Sequence, residues 1–182
     1  MGVSGCGKST VGALLGQLLD GDFLEGDSLH PARNVARMAA GVALTDDDRR
    51  GWLQALAQHL KTAHDANRAL VVSCSALKRS YRDTLRSGSA GLAFVHLHGS
   101  PALLGQRLAA RTGHYMPASL LASQLDTLEA PADGEHAITL DARLTPERLA
   151  AQAAAWVALG LGLGPELATP ATRTSTSNPA RP

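Results

Sequence analysis

The chain has 182 residues, with 17 Lys and Arg against 16 Asp and Glu for a net charge of +1. That length suits one domain able to bury most of its apolar surface, and so balanced a charge argues against nucleic acid or an acidic membrane as a partner. Hydrophobic residues make up 45% and aromatics 3%, so Leu, Val and Ala must build the core, and no run reaches the roughly 18–20 apolar residues that cross a bilayer. No signal-peptide pattern opens the chain. The two cysteines, Cys6 and Cys74, lack metal-type spacing and secretory context and read as reduced thiols of a cytoplasmic protein. The seven histidines contain no H-E-x-x-H, which argues against zinc.

In chain order, MGVSGCGKST comes first. Residues 2–9 fit G-x-x-x-x-G-K-[ST], the phosphate-binding loop that follows a buried strand and opens a helix. The helix is present, as VGALLGQLL, but only Met1 stands where the strand should be. DFLEGD then reads as a short strand ending in polar residues, and HPARNVARMAAG as a helix with Gly41 at its C-cap. TDDDRRGWLQALAQHLKTAHDAN reads as a longer helix, ALVVSCSAL as a buried strand and RSYRDTLRSG as a helix. LAFVHLHG is a strand, PALLGQRLAARTG a helix with Pro in its first turn, ASLLASQLDTLEA a helix, AITLDA a strand and TPERLAAQAAAWVAL a closing helix. Strands separated by helices predict an α/β fold, a parallel sheet covered on both faces. From GPELATPATRTSTSNPARP onward, Pro, Thr and Ser dominate; the expected organisation is one domain over 1–164 and a disordered tail over 165–182.

The loop carries the firmest chemistry. Its glycines let successive backbone N–H groups of Gly2, Val3, Ser4, Gly5, Cys6 and Gly7 curl inward around a phosphate. The helix starting near Lys8 adds the positive end of its dipole. Lys8 can reach β- and γ-phosphate oxygens, the Ser9 hydroxyl can ligate Mg²⁺, and Thr10 follows in the same turn. These residues predict a nucleoside triphosphate site. LEGDSLHP places Asp27 at the C-terminal end of a strand, the edge where open α/β sheets bind ligands. There it can accept a hydroxyl proton or hold Mg²⁺ through water, or else cap the helix that starts near His30 or Pro31; the functional and capping readings stand level. In TDDDRR, Thr45 and Asp48 read as a capping box, whereas Arg49, pointing back to the cleft, would grip a carboxylate. RLAAR puts Arg107 and Arg111 one turn apart, a spacing usual for a solvated face, but T-G-H-Y-M-P follows, the kind of break a mobile lid needs.

Together GVSGCGKST, EGDSLHPARNVARMAAGVALTDDDR, WLQAL, CSALKRSYRD and RLAARTGHYMPASLLASQLDTLE resemble the gluconokinase family of small P-loop kinases. The resemblance covers most of the chain from Met1 to about Glu129. It implies transfer of the ATP γ-phosphoryl group, with Mg²⁺, to D-gluconate, on a five-stranded parallel sheet of the nucleoside-monophosphate-kinase type, in a homodimer. It also implies that Lys8, Asp27, Arg107 and Arg111 serve catalysis and that Asp27, His30, Arg33, Arg49, Arg82, His114 and Gln124 line the substrate side, with Arg82 open to the alternative of pairing with Asp83 or Asp126 and serving structure only. Two departures stand out. Gly51 replaces a Pro usual before WL, and the family's first strand, which lies inside the sheet, is missing. The expectation is therefore a chain truncated at its start, with unpaired edges beside ALVVSCSAL and LAFVHLHG. The rivals are another small-molecule P-loop kinase, acting on shikimate or a nucleotide, and a non-catalytic nucleotide-binding protein. A GTPase is disfavoured by the lack of an N-K-x-D motif.

Overall fold

The loop turns directly into a helix, α1 (Lys8–Leu18), and from there strands and helices alternate as the sequence predicts. The fold comes from a computed structural model that describes residues 1–110 and 120–160. The tail expectation and part of the expected lid lie outside the described residues. In chain order α1 is followed by β1 (Asp22–Glu25), a 3-10 turn (Gly26–Leu29), α2 (Ala32–Ala39), α3 (Asp46–Asp65), β2 (Leu70–Ser73), α4 (Arg79–Arg86) and β3 (Phe94–His98). Then come α5 (Pro101–Ala109), α6 (Leu120–Thr127), β4 (Ala137–Asp141) and α7 (Pro146–Gly160).

Local chemistry explains the boundaries. The α3 start is a capping box: the Asp48 amide donates to Thr45 Oγ1 at 3.2 Å and the Thr45 amide to Asp48 Oδ2 at 3.0 Å. Asp46, Asp47 and Asp48 all sit in that first turn, against the positive end of the helix dipole. Helix α2 stops where Gly41 takes φ 75°. There the Gly41 amide donates to the Met38 carbonyl and the Val42 amide to that of Arg37, the paired bonds of a Schellman motif. On α5, Ser100 caps the Leu103 amide and Pro101 occupies the first turn.

Beta strands pair in parallel, β1 with β2 from Asp22↔Leu70 to Glu25↔Ser73, and β3 with β4 from Phe94↔Ala137 to His98↔Asp141. Alternation along the strands sends side chains to two cores. Val3, Cys6, Val11, Leu15, Leu97 and Leu149 pack with α1, α5 and α7 on one face. Trp52, Leu56, Leu60, Tyr81, Leu85 and Phe94 pack with α3 and α4 on the other. Burying each such large side chain contributes roughly 1.5–3 kcal/mol against the entropy of ordering the chain. The architecture is thus three layers, helices on both faces of parallel strands. Among the described residues no helix is long and apolar enough to cross a membrane.

Four strands are described, at the four stretches the sequence predicted, and the two pairs do not join. Between them the chain start provides the only main-chain bonds to both sides among the described residues. The Met1 ammonium donates to the Val95 carbonyl at 2.5 Å, Leu97 N to the Met1 carbonyl at 3.0 Å, and Gly2 N to the Ser75 carbonyl at 3.2 Å. Beside these bonds lies an apolar cavity of about 670 Å³, with Leu15, Leu70, Val72, Phe94 and Val95 in its lining. No strand-to-strand pairing joins β2 to β3, and Met1 and Gly2 bond instead to β3 and to the segment after β2.

Candidate active site

The loop is held from below and open above. Val3 and Cys6 are 3% and 1% exposed, so alternate side chains of the loop are rooted in the core beneath α1. At Gly5 the backbone runs so close to α5 that a Cβ would lie 2.9 Å from the Leu104 carbonyl oxygen. Gly7, the N-cap of α1, has φ 95° and would meet nothing within 4 Å, and no side chain caps the helix. The uncapped amides of the first turn and the space above Gly7 are what a phosphate needs, so the residues present fit a nucleotide's phosphates. Lys8 Nζ rests 3.1 Å from the Val3 carbonyl. Ser9 and Thr10 lie exposed in the first turn of α1.

Asp27 leaves the 3-10 turn that follows β1. Close packing fixes this turn: a Cβ on Gly26 would lie 2.3 Å from the Ser73 carbonyl oxygen, and Trp52 Nε1 donates to the Gly26 carbonyl at 2.7 Å. The helix-cap reading of Asp27 fails, because α2 starts behind Pro31 without any side-chain cap. The Asp27 carboxylate instead lines a small cleft together with Ser4, Lys8, His30, Arg49 and Gln124.

His30 is stacked on Trp52 with centroids 4.2 Å apart and planes 15° from parallel. Its Nδ1 is buried without a hydrogen-bond partner. Burial pushes its pKa down to about 4, aided by Arg49 and opposed by Asp27, so the ring is neutral at pH 7. Arg49 lies over the Tyr81 ring with its guanidinium carbon 5.9 Å from the centroid, and its Nε is also buried and unpartnered. The Tyr81 hydroxyl donates to Asp46, and Lys78 Nζ reaches both Asp46 oxygens at 2.8 Å. A neutral imidazole and a guanidinium, each with an unfilled polar atom, suit a ligand that carries hydroxyls and an anionic group.

Among the described residues, Gln124 alone of the remaining expected site residues lines this cleft. Arg33 is not in the cleft lining; its side chain is 75% exposed and 3.5 Å from Asp48. Arg107 donates to the Ala142 carbonyl at 2.8 Å, tying α5 to the loop after β4. Arg111 and His114 lie outside the described residues. Gln124 is buried, and its Oε1 accepts from the Ser4 amide at 2.7 Å.

Arg82 takes the structural alternative, with Glu135 as its partner in place of Asp83 or Asp126. It is 0% exposed, pairs with Glu135 through Nε at 2.7 Å and Nη2 at 2.8 Å, and gives Nη1 to the Ala76, Leu77 and Glu129 carbonyls. These partners consume its donors, which makes it a bracket between α4 and the segment before β4 rather than a substrate contact. Sequence reasoning missed Trp52 behind His30 and Tyr81 beneath Arg49. The one available signal was aromatic rarity, with two Trp and two Tyr in the chain.

The shikimate kinase family model matches residues 4–138. The chain is 48% identical over 147 residues to a gluconokinase of Gluconobacter oxydans (strain 621H), covering 81% of this chain and 83% of that one. It is 44% identical over 135 residues to the thermoresistant gluconokinase of Escherichia coli (strain K12), covering 74% and 77%. The crystal structure of a gluconokinase from Sinorhizobium meliloti 1021 superposes with a TM-score of 0.80 at 47% identity, over 90% of this chain and 92% of that one. With the loop, the cleft and the three-layer fold in place, the chain belongs to the gluconokinase family, within the shikimate-kinase-like P-loop kinases.

Proposed function

We propose that this chain is a gluconokinase, moving the γ-phosphoryl group of ATP to the C6 hydroxyl of D-gluconate to give 6-phospho-D-gluconate and ADP. The observation that carries the reading is the single cleft in which Lys8, Asp27, His30 and Arg49 converge at the open side of the loop. The gluconokinase names of its relatives support the acceptor.

In this reading the loop amides and Lys8 hold the phosphates, and Mg²⁺ on Ser9 would supply further neutralisation of their charge. Asp27 takes the proton of the acceptor hydroxyl as its oxygen bonds to the γ-phosphorus and the bond to the β–γ bridging oxygen breaks, leaving ADP. Arg49 pairs with the acceptor's carboxylate, and neutral His30 accepts a hydroxyl proton at Nδ1 in a hydrogen bond. Arg107 and Arg111 would close over the phosphates and Arg33 and His114 would serve the acceptor, roles that rest on the family resemblance. A cytoplasmic homodimer with one kinase domain over 1–164 is part of the same proposal, resting on the family resemblance and the free cysteines.

The test is product formation from D-gluconate, with shikimate and AMP as parallel acceptors. Gluconate should be preferred, and Asp27→Asn should lower kcat roughly 10²–10⁴-fold while ATP affinity stays within about twofold. Preference for shikimate would move the chain to the other branch of its matched family, and unchanged turnover in Asp27→Asn would remove Asp27 from catalysis.

A further inference from the structure

One peptide group of the loop is gripped at both ends. The Val3 carbonyl accepts from Lys8 Nζ at 3.1 Å, and the N–H on the other side of the same planar unit, that of Ser4, donates to Gln124 Oε1 at 2.7 Å. Oxygen and hydrogen of a trans peptide point in opposite directions, so a bond at one end orients the other, and each polarises its neighbour. Gln124 itself is well anchored. It is 8% exposed, and on the same helix Leu121 joins the core that holds Val3 and Cys6, while Leu120 packs with Met38 and Leu44. Ser4 lines the cleft beside Lys8 and Asp27, so the gripped peptide lies where loop and acceptor cleft meet.

We infer that Gln124 is a positioning residue: it fixes the plane of the Val3–Ser4 peptide and, through its carbonyl, the place of the Lys8 ammonium. This makes α6, the first described element after residues 111–119, a mechanical link to the phosphate loop, and it gives Gln124 a duty other than touching the acceptor. The inference rests on the kinase reading for its kinetic arm only, because nucleotide binding can be read without any acceptor.

The experiment compares Gln124→Leu, which keeps size and loses the acceptor oxygen, with Gln124→Glu, which keeps an oxygen for the Ser4 amide. Binding of a non-hydrolysable ATP analogue is measured by calorimetry, steady-state kinetics with gluconate follow, and the Ser4 amide resonance is tracked by NMR. Gln124→Leu should weaken the analogue about 5- to 10-fold, equivalent to roughly 1–1.4 kcal/mol. It should also lower kcat, leave the gluconate KM within twofold and shift the Ser4 amide upfield. Gln124→Glu should restore the amide shift and most of the affinity. A raised gluconate KM with unchanged analogue binding would overturn the inference and make Gln124 a substrate contact. An unmoved Ser4 amide would overturn it as well. If Gln124→Leu does not fold, Gln124→Glu decides alone: parental affinity and amide shift support the inference, and loss of both sinks it. Failure of gluconate turnover in the parent, with analogue binding intact, would strike the kinase reading and leave this one standing.

Discussion

Arg82 and Arg49 are both drawn into the protein, and their surroundings could hardly differ more. Around Arg82 the donors meet Glu135 and three backbone carbonyls with no exposure to solvent. Arg86 adds a second guanidinium on Glu135 at 2.9 Å. Around Arg49 there is the face of Tyr81, the neutral ring of His30 across a cleft, and an Nε with nothing to bond. A filled set of donors holds elements together, whereas Arg49 lines the cleft with its buried Nε unpartnered. The contrast shows why position in a family motif does not settle an arginine's duty. Arg49 was expected on the substrate side, and Arg82 either there or in a structural pair; the buried Glu135 and carbonyl partners of Arg82 separate them.

The sharpest way to break this comparison is to remove Arg82. Arg82→Met leaves Glu135 buried without its main partner, and loss of one member of such a pair costs about 3–5 kcal/mol. Urea unfolding should register that loss, with gluconate KM near the parental value in whatever protein remains folded. A stable Arg82→Met with a raised KM would reverse the two arginines' roles.

Removing Arg49 should do the opposite. A hydrogen-bonded charge contact is worth about 1.5–3 kcal/mol, so Arg49→Ala should reduce kcat/KM for gluconate roughly 10- to 100-fold with a small change in melting temperature. Arg49→Lys should recover only part, since an ammonium cannot reproduce a bidentate grip. Equal activity in Arg49→Ala and the parent would show that the anionic end of the acceptor lies elsewhere.

The pH dependence sharpens the same contrast with a smaller effect. Burial, as the leading cause, pushes His30 and His96 down to about 4 from 6.5. The folded state therefore resists protonating them, and stability should be full above pH 6.5 and decline as pH falls toward 4. Glu135, held well below the usual carboxylate range first by its hydrogen bonds from Arg82, acts in a different window. Its contribution is present above about pH 4.5 and is lost at more acid pH. Unfolding free energy measured from pH 8 to 3 should thus fall in two stages. His30→Gln should reduce the upper stage, leaving the part due to His96, and Glu135→Gln should flatten the lower; a single stage insensitive to both would refute the assignment.

Much of the fold was legible because its signals are local. The capping box of Thr45 and Asp48, the glycine stop at Gly41 and the apolar strands between helices each act within a few residues. So does the loop, whose glycine spacing and helix start lie in one continuous stretch.

What remained undecided was every question of partner. Sequence alone left Asp27 between a cap and a cleft, and only the uncapped start of α2 behind Pro31 freed it for the cleft. It placed Arg82 and Glu135, 53 positions apart, with no hint that they meet. Nor did it show that Gln124 would reach back 120 positions to the Ser4 amide. Short-range hydrogen bonds and hydrophobic periodicity are properties of neighbouring residues and can be read in order. Which polar group satisfies which is settled when distant elements pack, because burial forces each donor and acceptor to find whatever partner the fold brings near.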